Sequence, residues 1–187
     1  MPVLPLLMVA GVAALATACS STASERPAPE LADHVDLPRF MGRWYVLAHT
    51  PTRLDQEPYN ATETYTLEAD GDIETAYEFF DGSFDGDYAD FYPTGHVYNA
   101  ETNAEWRMTF FWVFAQPYLI LYVDPNYQYT VIGHPNREMM WIMARQPQIP
   151  DAQYEALEQV LRDRDYDLEK LRRVPQQPDG DRRPFPE

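Results

Sequence analysis

The side chains that could bind a metal ion or carry out catalysis are scattered along this chain. Its four histidines are His34, His49, His96 and His134. They form no HExxH or other spaced ligand set. Four aspartates lie closer together, at Asp81, Asp85, Asp87 and Asp90. Their spacing does not match the calcium loop of an EF-hand. GxSxG is absent and the chain has one cysteine. We therefore expect no metal, no cofactor and no enzymatic activity.

The single cysteine, Cys19, directly follows an uncharged apolar stretch. Residues 1–18 end in the small residues "ATA", which is typical of a secretory signal peptide. Small residues before a cysteine resemble a bacterial lipobox, in which the thiol is lipidated and the cysteine becomes the mature N-terminus. The alternative is a signal cut elsewhere, with Cys19 discarded or left free. Several acyl chains on Cys19 would anchor the protein firmly to a membrane. In similar lipoproteins an aspartate at the next position marks inner-membrane retention, so Ser20 favours the outer membrane, on its periplasmic side.

Composition limits the classes of partner. The 187 residues carry a formal net charge of −16, which repels phosphate and makes nucleic acid an unsuitable partner. Aromatic residues make up 14%, and these side chains favour pleated sheets. Residues 19–34 are polar and contain prolines, so we expect a flexible tether there. We expect one folded domain over residues 35–177 and a loose tail over 178–187.

The folded part is predicted to be an antiparallel meander. Short segments with strand character are separated by breaks rich in Gly, Asn, Asp and Pro, such as "ADGD", "NAETNA", "VFAQP" and "HPNRE". The predicted strands are Gly42–Thr50, Thr62–Glu68, Ile73–Phe80, Asp87–Tyr98, Glu105–Trp112, Tyr118–Asp124, Tyr127–His134 and Met139–Gln146. One helix is predicted over Pro150–Asp163, where Tyr154, Leu157 and Leu161 form a narrow apolar stripe that suits packing on the outside of the sheet.

Four residues carry a resemblance to a known family. Gly42 and Trp44 open the first strand, Asp124 follows the sixth, and Arg145 ends the eighth. With the helix that follows, this pattern is similar to lipocalins, and most of all to bacterial outer-membrane lipoprotein lipocalins. The resemblance implies an eight-stranded up-and-down barrel with one helix packed outside. It also implies that Trp44 lies across the closed end of the barrel with the Arg145 guanidinium stacked on it, an arrangement that physical chemistry favours.

The resemblance also implies a ligand-binding interior. Counting in twos from Trp44 and Arg145 along the first and eighth strands, and matching the other strands to the family pattern, gives an apolar and aromatic inward set. The candidate ligand-binding residues are Val46, Tyr65, Tyr77, Phe79, Met108, Phe110, Ile120, Tyr129, Val131 and Trp141. Such walls suit an acyl chain. The alternative is that these bulky side chains simply fill the barrel.

Three further features have open interpretations. The same count turns Glu63 inward. Its carboxylate could recognise the polar head of a ligand. The alternative is that the strand register is shifted or that Glu63 lies in water near the open end of the barrel. Arg53, in the loop Pro51–Tyr59 that would cover the barrel, could meet an anionic head group or be solvated. The segment Phe79–Tyr92 is either a membrane-facing or partner-facing lip or a solvated turn whose aromatic side chains return to the core.

We therefore expect a protein that binds a small apolar ligand, such as palmitate or another fatty acid or a lysophospholipid, for storage or transport at the outer membrane. Two alternatives stay open. One is an envelope enzyme acting on a lipid or isoprenoid, with Glu63 and nearby tyrosines as its only candidate constellation. The other is a structural envelope protein with a filled barrel.

Overall fold

The computed structural model describes residues 26–110 and 114–186, so Cys19 and the predicted signal peptide lie outside the described residues. The helices and strands are α1 (Leu37–Phe40), β1 (Gly42–His49), β2 (Pro58–Leu67), β3 (Ile73–Asp81), β4 (Asp87–Phe91), β5 (Thr94–Val97), β6 (Glu105–Phe110), β7 (Phe114–Val123), β8 (Tyr129–Gly133), β9 (Met140–Ala144), α2 (Asp151–Arg162) and β10 (Arg172–Arg173). Among the described residues, no helix combines the length and apolar character needed to cross a bilayer.

The sheet is antiparallel and closes on itself. Its order is β10-β1-β2-β3-β5-β6-β7-β8-β9, and β4 pairs with β3. Because β1 pairs with β9 as well as with β2, the sheet forms a barrel. β4 and β5 replace the single strand predicted over Asp87–Tyr98 and are separated at Tyr92 and Pro93. Proline lacks a ladder donor, which explains the break. Counted as one interrupted strand, they complete the expected eight-stranded barrel.

Two strands are longer than expected at their N-terminal ends. β2 begins at Pro58 rather than Thr62, and β7 begins at Phe114 within "VFAQP", which we had predicted to be a turn. That prediction was wrong because Pro117 occupies a ladder position opposite Arg107. A proline can lie in a strand where its missing N–H is not required.

Buried apolar side chains form two clusters, one on each side of the barrel wall. The inner cluster includes Trp44, Tyr65 and Trp106. The outer cluster includes Leu121 and Ile142 and lies under α2. The alternation of side chains along each strand separates the two clusters.

The helix predicted after the barrel is present as α2. Tyr154, Leu157 and Leu161 are its buried residues and pack into the outer cluster. After α2 the chain returns to the barrel, where β10 pairs with β1 through Ala48 and Arg173.

The residues after β10 also contact the barrel, although we had expected a loose tail from residue 178. The Asp179 carboxylate accepts a hydrogen bond of 2.6 Å from the Tyr45 hydroxyl. The Phe185 ring lies 5.2 Å from the Phe80 ring, centroid to centroid, on the outside of the barrel.

The N-terminal strap, residues 27–36, lies along the outside of the barrel. The Pro27 carbonyl accepts a hydrogen bond of 2.8 Å from Arg137. At the other end of the strap, the Val35 amide donates to the Thr102 carbonyl at 2.7 Å. Much of the segment that we had expected to be a flexible tether is therefore bound to the barrel.

Candidate functional site

One end of the barrel, the closed end, is sealed by Trp44 and Arg145. The Arg145 guanidinium carbon lies 3.7 Å from the centre of the Trp44 ring. The guanidinium also donates to the carbonyls of Phe40 at 2.9 Å and Met41 at 2.8 Å, which hold α1 across this end. The Trp44 indole donates to the Phe40 carbonyl at 2.8 Å. Burial lowers the pKa of Arg145 to about 10, so the side chain stays charged at neutral pH. These contacts fix the base on which the interior is built.

Gly42 and Asp124 give this end its backbone shape. Gly42 has a φ of 89°, a conformation that suits glycine, and a Cβ there would lie 3.6 Å from the Arg145 guanidinium. Asp124 accepts hydrogen bonds from the amides of Gln128 at 2.5 Å and Tyr129 at 2.6 Å. Those bonds order the β7–β8 turn, where the Tyr127 carbonyl accepts from Arg145 at 3.3 Å.

A layer of aromatic rings lies directly above the closed end and fills the lower barrel. The Phe40 ring lies 5.6 Å from the Tyr65 ring and 5.4 Å from the Trp106 ring. Trp106 and Tyr118 stack at 5.4 Å with an interplanar angle of 15°. The lower barrel is thus solid, as the filled-barrel interpretation expects.

Above this layer the barrel contains a cavity of about 370 Å³. That volume is near the lower end of the range for small-molecule sites, which is roughly 300–1,000 Å³. The residues that line the cavity are Thr52, Arg53, Leu54, Asp55, Glu63, Thr75, Tyr77, Phe91, Pro93, Met108, Phe110, Gln116, Pro117, Tyr118, Met139 and Trp141. The β1–β2 loop supplies the first four and partly covers the open end.

Most of the predicted ligand-binding residues point into the barrel, at two levels. Four line the cavity: Tyr77, Met108, Phe110 and Trp141. Four others belong to the inner cluster but do not line the cavity: Val46, Tyr65, Phe79 and Ile120. The second group therefore supports the cavity rather than contacting its contents.

Tyr129 and Val131 point outward, which corrects their assignment to the interior. Val131 pairs with Ile142 and both belong to the outer cluster, against which Tyr129 also packs. The family pattern had matched Tyr129 and Val131 to the interior. Tyr127, which belongs to the inner cluster, precedes β8 and has a φ of 57°, so an alternation that starts from it does not continue into β8. The alternation of side chains holds only within a strand. The inward residues of β8 are Thr130 and Ile132, which pair with Met143 and Trp141.

Glu63 points into the cavity and is 8% exposed. The alternatives of a shifted strand register and of a position in water near the open end are therefore both wrong. Its carboxylate accepts a hydrogen bond from the Tyr65 hydroxyl, which is 2.6 Å from the Tyr118 hydroxyl. Burial raises the pKa of Glu63 to about 7, the nearby charge of Asp55 adds to the rise, and the tyrosine hydrogen bonds oppose it. Glu63 therefore exchanges a proton near neutral pH.

Asp55 is a second buried carboxylate in the cavity, and no sequence pattern predicts its position there. It is 6% exposed and accepts hydrogen bonds from the Thr52 amide at 3.1 Å and the Tyr77 hydroxyl at 3.1 Å. Its other neighbour is the His49 ring, whose Nδ1 lies 3.3 Å away, although the angle there does not satisfy a hydrogen bond. Burial pushes the pKa of Asp55 upward, but contacts with His49, Thr52 and Tyr77 outweigh burial and lower it.

One polar atom in the cavity wall has no protein partner. The Thr75 hydroxyl is buried, lines the cavity and makes no hydrogen bond, although Thr75 is only 3% exposed. Buried hydroxyl groups normally have a partner. Among the described residues, no group of three or more His, Cys, Asp and Glu side chains is arranged to hold a metal ion.

The remaining predicted features lie around the open end. Arg53 is exposed and lines the cavity where it opens. Within the segment Phe79–Tyr92, Phe79 is buried in the inner cluster, and Phe80 packs outside against Tyr88 with ring centroids 6.3 Å apart. This agrees with an exposed turn whose aromatic side chains return to the core, although Tyr92 itself is exposed.

Comparison with known proteins gives one consistent family. The sequence profile described as a lipocalin-like domain matches residues 35–176. Temperature-induced lipocalin-1 of Arabidopsis thaliana is 30% identical over 166 residues, which cover 82% of this chain and 86% of the relative. Outer membrane lipoprotein Blc of Escherichia coli (strain K12) is 29% identical over 174 residues, or 91% of this chain and 96% of the relative. Among solved structures, the cockroach allergen Per a 4 has a similar fold, with a TM-score of 0.62 at 20% identity over 81% of this chain and 94% of the other.

Proposed function

The chain belongs to the lipocalin family, whose members bind small hydrophobic ligands, and we propose that it binds a single-chain lipid in its barrel. The candidates are a fatty acid such as palmitate and a lysophospholipid. The observation that carries the proposal is the cavity of about 370 Å³ above a sealed floor, with Met108, Phe110 and Trp141 in its walls. Among the described residues, the aromatic layer closes the cavity from below and the β1–β2 loop partly covers it from above.

The apolar walls supply the driving force for binding. Each methylene group moved from water into such a site contributes about 0.8 kcal/mol. Part of that gain is offset because the ligand and the loop over the open end lose freedom on binding. A chain of moderate length would therefore bind at about micromolar concentration or below.

The site of action that we propose is the periplasmic side of the outer membrane. The first support is the lipobox-like sequence at Cys19. The second is the similarity over most of the chain to outer membrane lipoprotein Blc. In this proposal the lipid on Cys19 holds the barrel at the membrane, and the cavity stores or carries lipid there. We propose no enzymatic reaction.

Extraction from the native envelope tests the ligand. The protein, isolated from its own membrane and analysed by native mass spectrometry, should carry a bound single-chain lipid. Titration with a fluorescent fatty acid should then show saturable binding to the emptied protein. Protein that carries no lipid and does not bind the fluorescent fatty acid would contradict the proposal.

A pair of neighbouring substitutions locates the binding. Thr75→Phe places a ring inside the cavity and should weaken binding of the fluorescent fatty acid at least about tenfold. Glu74→Phe changes the adjacent exposed residue of β3 and should leave binding unchanged. Equal effects of the two substitutions would place the ligand outside the barrel.

A further inference from the structure

The charges around the cavity are unevenly distributed. Two acidic side chains line it, Asp55 and Glu63, and both are buried. Among the described residues that line the cavity, Arg53 is the single basic side chain, and it is exposed at the open end. The polar part of the interior is therefore acidic, whereas the basic group is near the solvent.

The Thr75 hydroxyl adds an independent sign of an absent partner. Glu63 pairs with Tyr77 across β2 and β3, and Tyr65 pairs with Thr75. Glu63 and Thr75 are thus diagonal neighbours on the inner face, with Cα atoms roughly 7–8 Å apart. A single head group between them could reach both the Glu63 carboxylate and the unpartnered Thr75 hydroxyl.

The protein groups around the two carboxylates leave acceptor capacity mainly at Glu63. Asp55 already accepts hydrogen bonds from the Thr52 amide, the Thr52 hydroxyl and the Tyr77 hydroxyl, whereas Glu63 accepts one from Tyr65. An ionised carboxylate accepts up to about four hydrogen bonds, so Glu63 could accept more. An ammonium group brings three donors and a positive charge, whereas a ligand carboxylate brings no donor and a third negative charge.

We propose that the cavity selects an apolar ligand with an amine head group. The amine lies beside Glu63 and Thr75 and is also attracted by the negative charge of Asp55. This inference rests on the proposed function, because it specifies the head group of the ligand that the barrel binds. A fatty acid would place its carboxylate near Arg53 at the open end instead. The amine-bearing ligand occupies the acidic interior and leaves Arg53 in solvent.

The protonation of Glu63 supports this assignment. Burial raises the pKa of Glu63 to about 7, and a nearby ammonium group would favour the ionised form again. The groups that face Glu63 are the neutral phenols of Tyr65, Tyr77 and Tyr118, together with the charged Asp55. Arg53 also lines the cavity, and the His49 ring lies beside Asp55 with its Nδ1 3.3 Å from the carboxylate. Amine binding should therefore weaken as the pH falls from about 8 to about 5.5, where Glu63 takes up a proton.

Calorimetric titration with three ligands of equal chain length tests the proposal. The probes are dodecylamine, dodecanol and dodecanoate, and the protein is residues 20–187, which include every described residue and lack both the predicted signal peptide and Cys19. At about pH 8, dodecylamine should bind at least about tenfold more tightly than dodecanoate. Glu63→Gln should remove most of this preference, mainly by weakening dodecylamine binding.

The control is Glu74→Gln, which removes an exposed carboxylate from the adjacent strand and should leave the preference unchanged. Near-UV circular dichroism establishes that both variants retain the packed barrel. Dodecanoate binding as tightly as dodecylamine would overturn the amine assignment but keep the proposed function. Failure of all three ligands to bind would overturn both.

Discussion

Arg145 connects several parts of the closed end through one side chain. Its guanidinium stacks on Trp44 and donates to carbonyls of α1 and of the chain that leads into β1. A lysine could keep the charge but not the planar fork, which bonds several carbonyls at once. The contribution of this residue therefore depends on its shape.

Arg145→Lys should lower the free energy of unfolding by about 2–4 kcal/mol, because several hydrogen bonds and the stacking contact are lost together. Urea unfolding measures the effect. The matched control is Arg162→Lys on α2, where the arginine forms an exposed ion pair with Glu158, and we expect a change below about 0.5 kcal/mol. Similar small losses in both variants would show that the Arg145 fork is not essential.

Glu63 should make stability depend on pH. The carboxyl has an ordinary pKa of 4.5 and a pKa of about 7 in the folded protein. Between these values the unfolded chain has lost the proton that the folded chain retains, so the contribution of Glu63 to stability falls as the pH rises through this window. Above about pH 7 the cost is constant.

Glu63→Gln removes this titration. The variant should gain stability relative to the natural protein as the pH rises from about 4.5 to about 7, by roughly 1–3 kcal/mol, and the gain should then level off. Urea unfolding of both proteins across this range measures the difference. A difference that does not vary with pH would contradict the raised pKa of Glu63.

At the level of secondary structure, α2 stabilises the barrel from outside. Leu161→Ala should lower the free energy of unfolding by about 2–4 kcal/mol, because Leu161 is fully buried in the outer cluster. Ligand affinity of the folded variant should not change, since the cavity is on the other side of the wall. Glu155→Ala on the exposed face of α2 is the control, with an expected change below about 0.5 kcal/mol. Equal unfolding curves for the two variants would contradict the packing role of α2.

Strand bulges explain where counting along the sequence fails. The register shifts between Val46 and Ala48 and between Ile120 and Tyr122, so Ala48 and Tyr122 face outward although counting in twos turns them inward. An extra residue in one strand reverses which side chains face the core, and an apolar residue fits either cluster here because both are buried. The sequence pattern therefore predicts the strands and α2, and the family resemblance implies the Trp44–Arg145 contact, but neither identifies every inward residue.

Asp55 marks a different limit of prediction. It reaches the cavity from the β1–β2 loop, and its position depends on contacts with His49 at the end of β1 and Tyr77 on β3. No periodic pattern applies to a loop, so its sequence does not show which of its polar side chains turns inward. The inward position of Glu63 follows from the strand alternation, whereas the contribution of Asp55 to the acidic interior is visible only in the folded structure.

On the scale of the whole molecule, the N-terminal strap determines where the chain that leads to the proposed anchor on Cys19 meets the barrel. β8 runs away from the closed end, so the β8–β9 turn that holds Pro27 through Arg137 is at the open end. The strap then runs towards the closed end, where Val35 binds Thr102. The part of the chain that leads back to Cys19 thus leaves the barrel beside the cavity entrance.

We therefore predict that the lipidated protein turns its open end to the membrane. A fluorophore on Leu54→Cys, at the open end, should be quenched by nitroxide lipid head groups in phosphatidylcholine vesicles. A fluorophore on Asp70→Cys, in the β2–β3 turn at the closed end, should be quenched less. Stronger quenching at position 70 would contradict this orientation.

In the proposed lipidated protein, the short distance between the strap and Cys19 also limits where a ligand can be bound. Only seven residues separate Cys19 from Pro27. Whatever conformation they adopt, these residues span at most about 30 Å. If Cys19 is lipidated as proposed, the barrel reaches only the surface of its own bilayer and the adjoining solution, and it cannot diffuse away with a bound ligand. Any molecule destined for a distant membrane must first be released into water or handed to a diffusing acceptor.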